Sequence, residues 1–183
     1  MKHLKLQHAA TIMRHGGVVA YPTEAVWGLG CNPNDAEAVH KILTLKQRPI
    51  EKGLILIAAD IEMCRPLLSH LSDEQRQAIN AEYDRPTTWL VPDNGRVPSW
   101  VRGEHASFAL RITRHPWAAA LSQAFGGPIV STSANPAGCS EAKSRLRLLH
   151  YFPEGLDAIA PGGIGRSERT SEIRDLMTGA VLR

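Results

Sequence analysis

Leu54-Ile55-Leu56-Ile57-Ala58-Ala59 is an unbroken apolar run with two β-branched residues, bounded by Gly53 and Asp60. A half-buried strand alternates polar with apolar residues. This run does not, so it is expected inside a sheet that is covered on both faces. Val18-Val19-Ala20-Tyr21, ending at Pro22, reads as a buried strand, and Pro128-Ile129-Val130-Ser131 and residues 87–91 and 108–112 read as further strands. Helical spacing separates them. Residues 7–14 form a short helix stopped by Gly16-Gly17, and residues 36–45 one capped by Asn34 or Asp35, with Val39, Ile42 and Leu43 on one face. Residues 61–68, 73–83 and 142–150 also read as helical. The second of these is capped by Ser72 with Gln75 three residues on, and residues 116–125 form a helix that opens on a proline. Residues 156–160 read as a strand, and residues 172–177 pair with 180–182 around Thr178-Gly179.

Strands alternating with helices indicate an α/β protein, and the late hairpin with its short connections favours a mixed sheet over a purely parallel one. No internal repeat or linker divides the chain, so residues 1–183 are expected to form a single domain. Hydrophobic residues make up 43% and charged residues 21%, as in a folded globular protein. The net charge of +3 is too small to imply nucleic-acid binding by itself, although Lys143, Arg145 and Arg147 cluster, as do Arg166, Arg169 and Arg174. Those clusters also suit a solvated face.

The start, Met-Lys-His-Leu-Lys-Leu-Gln-His, has no apolar core of a signal peptide, and no window approaches the roughly 18 apolar residues of a membrane span. A cytoplasmic protein with no membrane partner is expected. Cys31, Cys64 and Cys139 are far apart, which suggests neither a disulfide framework nor a zinc site.

Three common signatures are missing: the G-x-x-x-x-G-K-[ST] phosphate loop, G-x-G-x-x-G after a strand, and the G-x-S-x-G elbow. Any nucleotide must be held in another way. Lys46 and Arg48 stand where a helix ends before Pro49, so they either complement the helix dipole or receive an anion. Ser131-Thr132-Ser133-Ala134-Asn135 follows an apolar strand, where open α/β sheets bind ligands. Its hydroxyls and amide can equally form a turn bonded to its own backbone. In Tyr21-Pro22-Thr23-Glu24-Ala25-Val26-Trp27-Gly28-Leu29-Gly30-Cys31, Gly28 and Gly30 let the backbone turn or approach a neighbour closely, and a turn would account for the glycines but not for Thr23-Glu24 at the strand end.

In order along the chain, Y-P-T-E-A-V-W-G-L-G-C, L-K-Q-R-P, S-T-S-A-N and S-E-I-R-D resemble the YrdC/TsaC family of threonylcarbamoyl-AMP synthases, from about Val18 to Arg183. The resemblance implies a YrdC-like α/β domain, its twisted mixed parallel/antiparallel sheet flanked by helices and forming a concave basic groove. It implies a nucleotidyltransferase that makes threonylcarbamoyl-adenylate and pyrophosphate from L-threonine, bicarbonate or CO2, and ATP, with Mg2+. The product passes to tRNA threonylcarbamoyl-transferase proteins for the threonylcarbamoyladenosine (t6A) modification of tRNA.

Carried onto this sequence, Lys46 and Arg48 become catalytic as electrostatic stabilisers, and they bind ATP together with Lys52, Ser107, Ser133, Asn135 and Arg183. Thr23, Arg111, Ser131 and Ser171 become the threonine-binding residues. No residue is assigned to a metal. Lys52 stands where many members carry asparagine, Ile57 where some carry histidine, and Asp84-Arg85-Pro86-Thr87-Thr88 replaces the usual P-G-P-V-T. The rival expectation is a protein without chemistry that binds double-stranded RNA or assists ribosome maturation, since phosphate contacts would also explain Lys46 and Arg48.

Overall fold

The computed structural model describes residues 2–167 and 170–183, so Arg169 lies outside the described residues. The apolar run forms β3 (Ile55–Ala58), and it is interior as expected. The other strands are β1 (Val19–Pro22), β2 (Trp27–Gly30), β4 (Thr87–Pro92), β5 (Ser107–Ile112), β6 (Ile129–Ser133), β7 (Ala158–Ile159) and β8 (Glu172–Asp175). They make one eight-stranded sheet in the order β7-β1-β2-β6-β3-β5-β4-β8. The sheet is mixed: β3 runs parallel to β5 and antiparallel to β6, and β4 runs antiparallel to β5 and parallel to β8.

Register sorts the side chains of β3 onto two faces. Leu56 and Ala58 join Phe108, Leu110, Val130 and Leu29 in one core, which α2 (Ala36–Lys46) covers with Ala38, Val39, Ile42 and Leu43. Ile57 joins Tyr21, Val19 and Ile129 on the opposite face, covered by Leu6, Ala10 and Met13 of α1 (Lys2–Arg14) and by Ala118 and Leu121 of the helix Pro116–Phe125. Each large side chain so buried contributes roughly 1.5–3 kcal/mol before entropy is subtracted. The second face is covered only in part. Ile55 pairs with Ser131, Ile57 with Arg111, and Gly28 with Ser133, so the uncovered part of that face carries polar side chains.

Several boundaries differ from the sequence reading. Of the two readings of Gly28 and Gly30, a turn or a close approach to a neighbour, the second holds, and the strand β2 carried no signal because two glycines weaken a strand pattern. In the fold their bareness is required. A Cβ on Gly30 would stand 2.5 Å from the Val130 carbonyl oxygen and 2.8 Å from the Tyr21 ring. Gly30→Ala is therefore expected to lower stability by roughly 1–3 kcal/mol, read as an earlier urea midpoint, because the clash is with backbone that cannot rotate away. An unchanged midpoint would refute the close approach. The helix expected over 61–68 is only the single tight turn Ile61–Cys64, since Pro66 lacks the N–H that would continue the helical ladder, although Arg65 itself keeps helical φ and ψ. Residues 73–83 shorten to a helix over Asp73–Asn80, with the Ser72/Gln75 capping box present. The 142–150 helix runs over Arg145–Tyr151, starting after its cap Ser144, and a short helix Ser99–Arg102 carried no sequence signal.

The terminal hairpin forms. Asp175 N–H donates to the Ala180 carbonyl (2.9 Å) and Leu182 N–H to the Ile173 carbonyl (2.8 Å), which turns Arg183 back toward Ser171. No helix among the described residues is long and apolar enough to cross a membrane.

Candidate active site

Helix α2 ends in a backbone arrangement that explains the spacing of its two cations. Gln47 takes a left-handed φ of 52°, the only positive-φ residue other than glycine among those described, and the Arg48 and Gln47 N–H groups return to the Leu43 and Thr44 carbonyls. This Schellman turn satisfies the last helical carbonyls through the backbone. The cationic side chains are therefore released from capping. Lys46 Nζ donates to the Asn135 carbonyl (2.9 Å), to Asn135 Oδ1 (3.4 Å) and to the Ser133 carbonyl. Arg48 donates to the Gly53 carbonyl (2.9 Å) and the Lys52 carbonyl (3.2 Å).

The polar loop after β6 is drawn onto Lys46. Ser133 Oγ donates to Asn135 Oδ1 (2.7 Å), and Asn135 Nδ2 donates to the Cys139 carbonyl (2.7 Å). Both sequence readings of this loop hold in part: it bonds to itself, and it presents Ser131, Thr132 and Ser133 to a pocket. That pocket has a volume of about 160 Å3 and lies over the uncovered part of the sheet face. Thr23, Arg48, Arg111, Ser131, Ser133, Ser171 and Arg183 of the expected site residues form its wall. Lys46 and Asn135 stand directly behind Ser133. Lys52 is exposed and contributes its carbonyl to Arg48, while Ser107, four residues before Arg111 on β5, also stands outside the wall.

One side of the pocket is cationic. Lys46 is only 5% exposed, and its ammonium is pushed down to about 8 by burial first and by nearby Arg48 second, with Glu141 opposing. Burial and then the neighbouring Arg183 lower the Arg48 guanidinium as well. Among the described residues none of these three cations is ion-paired. Packing like charges this closely is unfavourable in an empty site and favourable around an anion.

The other side holds a buried ion pair. Arg111 lies 3.5 Å from Glu24 Oε2, and Glu24 Oε1 accepts from the Thr113 hydroxyl (2.7 Å), which itself accepts from the His115 N–H (3.2 Å). Burial alone would raise the Glu24 carboxyl, but Arg111 and the Thr113 hydroxyl outweigh it and hold the group below its ordinary value. His115 is lowered, mainly by burial. The Glu24 loop is pinned by the Thr23 hydroxyl on the Val26 carbonyl (2.7 Å), and by Gly165 and Ser167 N–H on the Thr23 and Glu24 carbonyls (2.8 and 3.0 Å). A Cβ on Gly165 would stand 2.6 Å from the Glu24 carbonyl oxygen, so the strap lies flush against the loop. Farther along the wall, the Thr88 hydroxyl donates to Ser171 Oγ (2.8 Å), and Arg183 to the Ser171 carbonyl (3.3 Å).

Glu24 and Thr113 were not among the expected site residues. Glu24 had a signal, since it adjoins Thr23 where no turn required it. Thr113 had only its place two residues beyond Arg111, the period that keeps side chains on one face of an extended chain.

A family model described as Sua5/YciO/YrdC, telomere recombination, matches residues 11–183. The chain is 55% identical over 179 residues to a threonylcarbamoyl-AMP synthase of Cellvibrio japonicus, covering 98% of this chain and 95% of that one. It is 50% identical to a protein of the same name from Pseudomonas aeruginosa, covering 98% and 96%. The crystal structure of P. abyssi Sua5 complexed with L-threonine superposes with a TM-score of 0.91 at 30% identity over all of this chain, which spans 54% of that longer protein. The chain belongs to the Sua5/YciO/YrdC family.

Proposed function

We propose that the chain is a threonylcarbamoyl-AMP synthase, a nucleotidyltransferase that condenses L-threonine, bicarbonate or CO2, and ATP into threonylcarbamoyl-adenylate and pyrophosphate. One observation carries the reading: a single pocket has on one side Arg48 and Arg183, with no ion-pair partner among the described residues, and on the other a buried arginine–carboxylate pair. The cationic side suits a triphosphate and the paired side an amino acid. Both relatives above bear the same synthase name, and the Sua5 structure is a complex with L-threonine.

The chemistry needs no covalent nucleophile. Once the threonine amine is carboxylated, a carbamate oxygen attacks the α-phosphorus and pyrophosphate leaves. Negative charge grows on phosphate oxygens, which Lys46, Arg48 and Arg183 stabilise electrostatically, with Ser133 and Asn135 orienting the nucleotide. Thr23, Arg111, Ser131 and Ser171 hold threonine. Mg2+ accompanying ATP would be held by the phosphates of the nucleotide and would neutralise part of their charge beside Arg48 and Arg183.

Residues 1–183 act in this reading as one cytoplasmic domain whose groove is basic, and which passes its product to the transferase proteins that modify tRNA. Any weak RNA contact falls on the exposed Lys143, Arg145 and Arg147. A double-stranded RNA platform accounts less well for the site, because Lys46 and Arg111 are 5% and 8% exposed and cannot reach a duplex backbone.

Pyrophosphate release from ATP, measured with bicarbonate and Mg2+ and with or without L-threonine, tests the proposal. Threonine-dependent release by the wild type, lost in Arg111→Ala, is the expected result. Release that ignores threonine, or none at all, would overturn it.

A further inference from the structure

We propose that Glu24 and Arg111 together read the zwitterion of the amino acid, Arg111 taking the α-carboxylate and Glu24 Oε2 the α-ammonium, with Thr113 as the positioning residue that aims Glu24. This rests on the synthase reading and assigns within it a group that composition and motif left without a role.

Glu24 Oε2 and Arg111 Nε are both buried and have no hydrogen-bond partner among the described residues, although each belongs to a charged group. A buried ion pair that serves structure alone is stable only when its remaining donors and acceptors are satisfied. Here the single contact is 3.5 Å long, and one atom on each partner stays open in side chains that are 10% and 15% exposed. Both residues line the same pocket. An α-amino acid is the complementary object, presenting an anion for the guanidinium and a cation for the carboxylate within one small molecule.

Glu24 is also held for this task and not merely left over. Its other oxygen accepts from the Thr113 hydroxyl, and that hydroxyl is oriented because it accepts from the His115 N–H. The strap through Gly165 and Ser167 fixes the loop's backbone from outside. Because Glu24 is held below the ordinary carboxylate range, it stays ionised and suits binding an ammonium better than removing its proton. The ammonium gives up two protons on carboxylation: with bicarbonate one leaves in the water that is expelled and the other passes to solvent, and with CO2 both pass to solvent.

Calorimetry on the full chain tests the assignment with two ligands: L-threonine, and the hydroxy acid in which its ammonium is replaced by a hydroxyl. The wild type is expected to prefer threonine by on the order of a hundredfold, the weight of a charge-assisted contact in a buried site. Glu24→Gln is expected to lose that preference, with threonine weakened and the hydroxy acid bound as well as before or better, and with ATP affinity unchanged. Thr113→Val, which keeps the carboxylate but unties it, is expected to lose part of the preference. Wild-type protein that binds both ligands equally would overturn the proposal, as would a Glu24→Gln variant that weakens both alike or neither. If Glu24→Gln does not fold, the comparison of the two ligands on the wild type still decides. Failure of the wild type to bind threonine at all would instead remove the synthase reading on which the proposal rests.

Discussion

Lys46→Ala is expected to lower turnover by about a hundredfold or more with both substrates saturating, while the KM for threonine stays within about twofold. Removing one preorganised donor from developing charge costs about 3–4 kcal/mol in other sites of this kind. Lys46 has the position for that role, since it is 5% exposed and reaches the backbone of the Ser133–Asn135 loop on the cationic side of the pocket. A loop-holding role would also lower activity, and pH separates the two. Lys46 is a base held at about 8, below its ordinary 10.5, so its charge is complete below pH 7 and is lost as pH rises through 8. A bound triphosphate favours the charged form, so the Kd for a nonhydrolysable ATP analogue is expected to rise up to tenfold per pH unit above 8. The same titration in Lys46→Ala is expected to be flat from pH 7 to 9. A wild-type profile as flat as the variant's would show that Lys46 only ties the loop.

Much of this site was legible because its residues are polar where the pattern demands apolar ones. Ser131 and Arg111 lie on strands whose neighbours Ile129, Val130 and Leu110 are fully buried, so a hydroxyl and a guanidinium there interrupt an otherwise apolar core. The α2 terminus was legible as a boundary through Pro49, but not in its consequence. No propensity marks Gln47 for the left-handed region, and that one φ sends Arg48 to the pocket wall and Lys46 to the loop behind it instead of leaving them as caps. β2 was lost for the opposite reason. Its glycines weaken any local strand signal, and the gain that offsets them, room for the Tyr21 ring, comes from a distant contact. The strap at Gly165 was invisible for the same cause, since its hydrogen bonds join residues far apart in sequence.

The two faces of the sheet divide the work. One face is fully covered and apolar, and supplies rigidity. The other is covered by α1 and the Pro116–Phe125 helix at one end only, which leaves Ile55, Ser131, Ser133 and Arg111 as its open floor. The binding groups thus stand mainly on strands, with a short pinned loop and the returning C-terminal hairpin closing the sides. Such placement favours fixed geometry, which electrostatic catalysis requires because its donors must be aimed before charge develops.

Arg111→Lys is expected to raise the Kd and KM for threonine by roughly thirty- to a hundredfold while leaving ATP affinity within about twofold. The substitution keeps a positive charge beside Glu24, so that carboxylate retains its partner and the loop its anchor. What disappears is the planar fork. A guanidinium presents two parallel N–H groups to a carboxylate, whereas an ammonium offers a single point contact on a shorter stem, a loss of about 2–3 kcal/mol. Arg111→Ala is expected to do more, because it also leaves Glu24 buried without its cation, which raises the Glu24 carboxyl and lowers its affinity for an ammonium. The order wild type, lysine, alanine therefore separates shape from charge. Calorimetry with threonine and, separately, with an ATP analogue reads both effects. Lysine matching wild type would mean that charge alone holds the amino acid, and a parallel loss of ATP affinity would mean that Arg111 serves the nucleotide instead.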